Sequence, residues 1–354
     1  MDPGRRTPHF ALRIPRSLSP QSTWLLTCLL LVFCTGCPVV SNLPAPGRES
    51  SRRDPIHDRT YHFYVPSHYH HERTWPVLVA CHGTKPFDSA SAQFELWKGW
   101  AQQQGFLLVA PELEGVSGLA GDAESQLDKQ RADEAVILSV IDAVRASHSV
   151  DTKQIFMTGW SAGCYAVLYT GLKHPDIFRA ISLAQGNFKP EFFRECEPFI
   201  DRYQPVQVIF GGNDPLRDDA LACVDWLRSH GLDPFLVERP GLHRRDPQPI
   251  FDFFKYVIQH RPYVRIIAED DRDDPMTFTF RTRCSFTPER YQWDFGDQKG
   301  SAEASPRHTF IEPGTYIVRV GVWNKSNKRF IRPLKLQVPR IRLGAPAQAA
   351  STQQ

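Results

Sequence analysis

Residues 154–163 read Gln-Ile-Phe-Met-Thr-Gly-Trp-Ser-Ala-Gly, an apolar run that ends in the pattern Gly-x-Ser-x-Gly. The run at 154–158 predicts a buried strand, and the residues that follow it through Gly171 have a helical pattern. A tight turn between a strand and a helix needs small flanking residues, and it lifts the serine hydroxyl clear of the backbone. The sequence therefore predicts a nucleophile at Ser161, with a serine that only caps a helix as the alternative.

The segment around this motif alternates short apolar runs with helical patterns from residue 59 to residue 261. Strands are predicted at 60–66, 77–81, 106–110, 154–158, 180–184, 206–210 and 234–238, and helices at 92–104, 134–147 and 250–259. This alternation predicts an α/β fold, a doubly wound and mostly parallel sheet covered on both faces by helices. In such a sheet the functional loops follow the carboxyl ends of the strands.

A serine nucleophile needs a base and a group that orients the base, expected in the chain order Ser, Asp, His. Asp214 follows the predicted strand 206–210 within a Gly-Gly-Asn-Asp-Pro turn, and His243 follows the next strand. We expect these two residues to complete a catalytic triad, with Asp218 and Asp219 as alternative acids. Asn-Asp-Pro is also a common turn sequence, so a purely structural Asp214 is the competing interpretation.

An oxyanion hole requires two backbone N–H groups near the serine. The first expected donor is Ala162, the residue after the nucleophile, and the second is Thr84 in the His82-Gly83-Thr84 loop after an earlier strand. His82 is predicted to shape this loop rather than to act as a base.

Residues 77–84, 150–163, 211–215 and 240–243 resemble an α/β-hydrolase, most closely the group of poly(3-hydroxybutyrate) depolymerases, feruloyl esterases and acetylxylan esterases. The resemblance implies a secreted serine esterase that forms an acyl-enzyme, with Ser161, Asp214 and His243 as the triad and no cofactor. This group often has Gly-Cys after its His-Gly pair and Gly-Gly-Gly-His-x-Trp-Pro at its histidine, whereas this chain has Gly83-Thr84 and a Leu-His-Arg-Arg sequence. The resemblance therefore does not specify the substrate.

Beyond residue 261 the pattern changes to short strands separated by turns, as in an all-β sandwich. Residues 291–297, 306–310 and 313–316 resemble the spaced motifs of a PKD domain, an immunoglobulin-like sandwich. The expected domains are a catalytic domain at 59–261, a PKD-like β-sandwich at 262–340 and a disordered tail at 341–354.

The N-terminus carries basic residues followed by an apolar run at 22–36, which is short for a membrane span and typical of a signal peptide. Residues 34–37, Cys-Thr-Gly-Cys, resemble a lipoprotein processing site, so Cys37 is the expected lipid-anchor residue. An ordinary signal peptide with an incidental Cys37 is the alternative. Residues 1–37 are thus predicted to be an export signal and 38–58 a polar tether. We expect an exported protein, either held in the cell envelope as a lipoprotein or secreted.

The composition of the chain argues against nucleic acid as its main partner. The 354 residues contain 42 Lys+Arg and 39 Asp+Glu, and the small basic excess belongs to the first 36 residues.

The cysteines and histidines suggest few further sites. The compartment outside the inner membrane permits disulfides, which leaves a pairing of Cys196 with Cys223 open. His68, His70 and His71 lie in a polar turn without thiolates or organised carboxylates, so no metal site is expected.

Three functions are compatible with these patterns. The first is a serine carboxylic ester hydrolase acting on esters that are polymeric or linked to polysaccharides. The second is a peptidase of the prolyl-oligopeptidase type, which shares the triad order but usually has a β-propeller. The third is a non-catalytic surface binding protein on a hydrolase scaffold, which the combination of Ser161, Asp214 and His243 disfavours.

Overall fold

A computed structural model describes residues 47–116 and 122–339. The predicted signal peptide, the expected anchor residue Cys37 and the predicted C-terminal tail lie outside these ranges. No helix within the described ranges is long and apolar enough to cross a bilayer.

An eight-stranded sheet forms the centre of the first region, with strand order β1-β2-β4-β3-β5-β6-β7-β8. Its strands are β1 (Arg48–Arg53), β2 (Thr60–Val65), β3 (Trp75–Cys81), β4 (Leu107–Pro111), β5 (Val150–Trp160), β6 (Phe178–Ala184), β7 (Val206–Gly211) and β8 (Phe235–Arg239). Strand β2 pairs antiparallel with β1 and β4, and the pairs from β4 through β8 are parallel. This arrangement confirms the predicted doubly wound α/β fold.

Five helices cover the two faces of the sheet: α1 (Ala90–Gln104), α2 (Ala123–Ser147), α3 (Gly163–Lys173), α4 (Arg217–Ser229) and α5 (Gln248–His260). Two short 3₁₀ helices, Pro190–Phe192 and Glu197–Phe199, lie between β6 and β7. Along β3, Val77 and Val79 pack in the core beneath α2, α3 and α4, while Leu78 packs in the core beneath α1 and α5. Burial on both faces explains why the central strands are continuously apolar rather than alternating.

The structure differs from the sequence prediction at residues 48–53. We expected them in a tether at 38–58, but they form strand β1 and pair antiparallel with β2, with Ser50 opposite Phe63. Strand β1 is the edge of the sheet and consists of polar and charged residues, as edge strands often do. It therefore has no apolar periodicity from which it could be predicted.

The C-terminal region consists of two antiparallel sheets with the orders β13-β10-β9 and β12-β11-β14-β15. The strands are β9 (Val264–Asp270), β10 (Thr277–Cys284), β11 (Arg290–Asp294), β12 (Gly300–Ser301), β13 (Arg307–Thr309), β14 (Gly314–Trp323) and β15 (Arg329–Val338). Trp293 and Phe280 are buried between the sheets, and the Trp293 Nε1–H donates to Glu303 O at 2.9 Å. Their packing confirms the predicted all-β region and gives it a hydrophobic core of its own.

Candidate active site

Ser161 occupies the turn between β5 and α3, with its φ at +55°. A Cβ on Gly159 would lie 2.6 Å from the carbonyl of Gly163, and a Cβ on Gly163 would lie 2.6 Å from the carbonyl oxygens of Cys81 and His82. Only glycine fits at these two positions, because the first packs against the backbone of the turn itself and the second against the end of β3. The positive φ of a residue other than glycine marks strain at this turn, a feature common at functional sites.

Asp214 and His243 form a hydrogen-bonded pair. The His243 Nδ1 lies 2.9 Å from Asp214 Oδ2 and 3.1 Å from Oδ1. The Asp214 side chain is fully buried, whereas 25% of the His243 side chain is exposed. Because a carboxylate only accepts, Nδ1 carries the proton and Nε2 remains available to accept one. The Leu216 N–H donates to Asp214 Oδ1 at 2.9 Å and helps to fix the carboxylate.

Two loops after β7 and β8 hold this pair in place. The Gly212 N–H donates to Arg239 O at 2.8 Å, and the Asn213 N–H donates to Gly241 O at 3.1 Å. Gly211 allows the loops to approach each other, because a Cβ there would lie 2.7 Å from Gly241 O. Gly241 itself has a φ of +100°, which favours glycine.

His243 lies over the residue that precedes the nucleophile. Its ring centroid is 4.5 Å from that of Trp160, with the two rings inclined by 40°. Within residues 47–116 and 122–339, however, the Ser161 hydroxyl has no hydrogen bond to His243. Such bonds are commonly long in unliganded enzymes and shorten when substrate binds. The structure thus brings all three predicted residues to one edge of the sheet, with Asp214 and His243 already hydrogen-bonded to each other.

The alternative acids, Asp218 and Asp219, lie away from His243. The Asp219 Oδ2 accepts the Phe188 N–H at 3.1 Å, and Asp218 is exposed in the first turn of α4. Neither carboxylate contacts His243 in the described part of the chain. The geometry therefore favours Asp214 as the partner of His243.

The loop after β3 lies against the serine. A Cβ on Gly83 would be 3.2 Å from the Ser161 Cβ, so this loop and the turn at Ser161 are in close contact. Among the described residues, neither the Thr84 N–H nor the Ala162 N–H has an intramolecular acceptor. The Thr84 side chain donates to Val116 O at 3.0 Å, which anchors the loop from the other side. Two unpaired N–H groups beside a serine are the donors that an oxyanion hole needs.

His82 has a structural role. It is fully buried, its Nδ1–H donates to Gly83 O at 2.8 Å, and its Nε2 accepts the Leu113 N–H at 2.9 Å. Burial is the main cause that lowers the pKa of His82. A neutral ring with both nitrogens engaged joins the loops after β3 and β4 and cannot serve as a base.

Three residues that the sequence analysis did not select lie beside the site: Asp88, Gln93 and Arg245. The Asp88 Oδ2 accepts the Gly83 N–H at 2.7 Å and the Gln93 amide at 2.7 Å, and its carboxylate is fully buried. The Arg245 guanidinium lies 3.0 Å from Asp88 Oδ1 and 4.2 Å above the Trp160 ring. Arg245 therefore contacts both the loop with the expected oxyanion donors and the residue before the nucleophile. The one signal in the sequence for Arg245 was its position two residues after His243.

The disulfide left open by the sequence does not form. Cys196 and Cys223 are both buried free thiols, and no disulfide occurs among the described cysteines. The Cys196 Sγ contacts Tyr169 O on α3 at 3.4 Å, while Cys223 lies on α4 beside Cys164. Burial raises the pKa of both thiols, so they act as small apolar side chains.

Comparison with known proteins identifies two regions of the chain. Residues 55–228 match the family described as "Putative esterase", and residues 259–330 match the PKD domain. Poly(3-hydroxyalkanoate) depolymerase C of Paucimonas lemoignei is 25% identical over 121 residues, which is 32% of this chain and 28% of the depolymerase. The alignment thus spans less than a third of that relative.

The chain is also similar to two solved structures of enzymes. Fluorophosphonate-binding serine hydrolase F of Staphylococcus aureus is 17% identical, with a TM-score of 0.47 over 60% of this chain and 98% of that chain. A ferulic acid esterase of Anaeromyces mucronatus is 14% identical, with a TM-score of 0.44 over 60% of this chain and 89% of that chain. The family matches confirm the predicted resemblance to esterases and to PKD domains.

Proposed function

We propose that this protein, an α/β-hydrolase of the esterase family with a C-terminal PKD domain, cleaves carboxylic esters through an acyl-enzyme on Ser161. The observation that carries the proposal is the paired Asp214 and His243 beside a strained serine turn. His243 Nε2 accepts the hydroxyl proton while Ser161 Oγ attacks the ester carbonyl. Asp214 holds the ring in the required tautomer and stabilises the imidazolium.

The tetrahedral intermediate places negative charge on the former carbonyl oxygen. The N–H groups of Thr84 and Ala162 donate to this oxyanion. His243 then returns its proton to the leaving alcohol, and the acyl group remains on Ser161. In the second half-reaction His243 removes a proton from water, and the water oxygen attacks the acyl carbonyl. His243 then gives this proton to Ser161 Oγ as the Oγ–acyl bond breaks, which releases the carboxylic acid and regenerates the free serine.

We further propose that the substrate is an ester within a polymer or linked to a polysaccharide. Two apolar side chains lie exposed beside the catalytic histidine loop: Leu242 is 58% exposed and adjacent to His243, and Phe87 is 80% exposed with its carbonyl held by Arg245 at 3.0 Å. Exposed apolar groups beside a catalytic site are suited to contact a large substrate. The partial similarity to a poly(3-hydroxyalkanoate) depolymerase also supports a polymeric substrate.

We propose Ser161, Asp214 and His243 as the triad and the N–H groups of Thr84 and Ala162 as the oxyanion hole. The proposed domains are a catalytic domain at 59–261 with β1 added to it, and a PKD-like sandwich at 262–340. The protein is exported and held in the envelope by lipid on Cys37. Mass spectrometry of the mature N-terminus tests this anchor, because an unmodified residue other than Cys37 at that position would exclude it.

A panel of p-nitrophenyl, feruloyl, acetyl-xylan and polyhydroxyalkanoate esters tests the activity. We expect turnover of small activated esters and of at least one polymeric ester, both abolished in Ser161→Ala. If the folded wild-type protein cleaves none of them, a binding role on a hydrolase scaffold replaces the proposal.

A further inference from the structure

A cleft of about 270 Å³ lies at the junction between the catalytic region and the β-sandwich. Arg179 at the start of β6, Pro205 before β7 and Asp233 before β8 line one side of the cleft. Lys328, Phe330 and Arg332 of the sandwich line the other. These positions are at the amino ends of the strands, whereas Ser161 follows the carboxyl end of β5. The cleft is therefore distinct from the candidate active site.

The lining of this junction cleft is strongly cationic. The lining contains two carboxylates, Asp201 and Asp233, and six arginine and lysine side chains: Arg179, Arg202, Arg261, Arg265, Lys328 and Arg332. Among these groups, all within the described chain, the one ion pair joins Arg265 Nε to Asp201 Oδ2 at 3.5 Å. The whole chain has nearly equal numbers of basic and acidic residues, so the cleft concentrates positive charge that the overall composition does not.

Arg179 is the most deeply buried of these cations, with 5% of the residue exposed. Its Nη2 donates to Val257 O at 2.9 Å, but its Nε is buried and has no hydrogen-bond partner among the described residues. Arg265 and Arg332 are partly buried, and burial lowers the pKa of both guanidiniums. A buried donor or charge without a partner is costly, and a bound anion would offset that cost.

We propose that the junction cleft binds a tetrahedral oxyanion, phosphate or sulfate, either free or as an ester. Guanidinium groups recognise such oxyanions through paired N–H donors. A dianion balances the excess of positive charge better than a single carboxylate does. Because Arg179 belongs to the catalytic region and Arg332 to the sandwich, the bound group would also link the two regions.

The geometry on the sandwich side supports this arrangement. The Arg332 guanidinium stacks 4.2 Å above the ring of Tyr203, which belongs to the catalytic region. Arg202 lies on the same tyrosine at 5.0 Å. The Tyr203 ring therefore contacts one arginine from each region within the lining of the cleft.

Calorimetric titration of the purified full-length protein with inorganic phosphate and with sulfate tests the proposal, with chloride used to keep ionic strength constant. We expect saturable binding to one site. Lys328→Gln changes an exposed residue of the lining and should weaken binding about 2- to 5-fold, as expected for one partly screened charge. The double variant Lys328→Gln/Arg332→Gln should weaken it about 10-fold or more, since a charge-assisted contact is also lost.

Lys325→Gln is the matched control, because Lys325 is exposed in the same loop but does not line the cleft. Its affinity for phosphate should equal that of the wild type. Absence of saturable binding, or equal affinities for Lys328→Gln and Lys325→Gln, would overturn the proposal even if the double variant fails to fold. A parallel titration with glucose 6-phosphate distinguishes a free oxyanion from a phosphate ester as the ligand. Tighter binding of glucose 6-phosphate than of inorganic phosphate identifies an ester.

Discussion

The guanidinium of Arg245 lies 3.0 Å from the buried carboxylate of Asp88, and this contact joins two loops of the candidate active site. Asp88 accepts the N–H of Gly83, while Arg245 follows His243 by two residues and stacks on Trp160. The histidine loop, the nucleophile turn and the loop with the Thr84 N–H are thus connected through one side chain. The alignment of the proposed oxyanion donors with Ser161 should depend on the Arg245 side chain.

Arg245→Ala should lower kcat for p-nitrophenyl acetate about 10- to 100-fold, because small displacements of catalytic groups are costly. Arg245→Lys keeps the charge and should restore part of the loss. Arg244→Ala is the matched control, since Arg244 is exposed on the same loop. Equal kcat values for Arg245→Ala and Arg244→Ala, with both proteins folded, would contradict this role.

Asp214→Asn should lower kcat by about 10⁴-fold while the protein stays folded, because the amide no longer favours the required His243 tautomer. The exposed Asp218 provides the control, and Asp218→Asn should retain nearly full activity. Steady-state kinetics and circular dichroism on both variants make the comparison. Full activity in Asp214→Asn would remove Asp214 from the triad.

Gly163→Ala should destabilise the protein by about 1–3 kcal/mol or more, since its Cβ would overlap backbone atoms that cannot easily move. The overlap is with the carbonyl oxygens of Cys81 and His82, both at 2.6 Å. Gly99→Ala provides the contrast, because Gly99 lies within helix α1 and no atom is within 4 Å of a Cβ added there. It should stabilise the protein by about 0.5–1 kcal/mol. Urea unfolding of both variants measures the difference, and equal stabilities would refute the steric argument.

Acid should destabilise the fold through His148. Burial, followed by the nearby Arg52 and Arg48, lowers the pKa of His148 from 6.5 to about 4. The unfolded chain therefore binds a proton near pH 6.5 that the folded protein accepts only near pH 4, so this contribution to stability declines as pH falls between these values.

The corresponding experiment compares urea unfolding at pH 7 and pH 5. His148→Gln should lose less stability over this interval than the wild type, whereas the exposed His57→Gln should behave as the wild type does. An unchanged loss in His148→Gln would show that another group causes the acid sensitivity.

The central strands and the strand-to-helix turn were predictable because their signals are local. Apolar runs mark β3, β5 and β7, and the two glycines around Ser161 mark the turn. The first half of α2 was not predicted, since its buried face includes polar side chains such as Gln126, Gln130 and Asp133. Polar residues buried by long-range contacts leave no apolar periodicity for a sequence analysis to detect.

Some residues of the candidate site could also be predicted from the sequence, and others could not. Asp214 and His243 could be selected from chain order and loop position, since α/β sheets collect such loops at one edge. Asp88 and Arg245 could not, because their importance comes from a contact between residues far apart in sequence. The junction cleft also required the structure, since its cations come from several separate segments.

Labelling with a fluorophosphonate probe tests the central claim most directly. The probe reacts with an activated serine, so intact wild-type protein should be modified at Ser161, as shown by mass spectrometry of the labelled peptide. Ser161→Ala should fold normally, take up no probe and lose ester hydrolysis. Ester hydrolysis that persists in Ser161→Ala, or a folded wild-type protein without label at Ser161, would contradict the account.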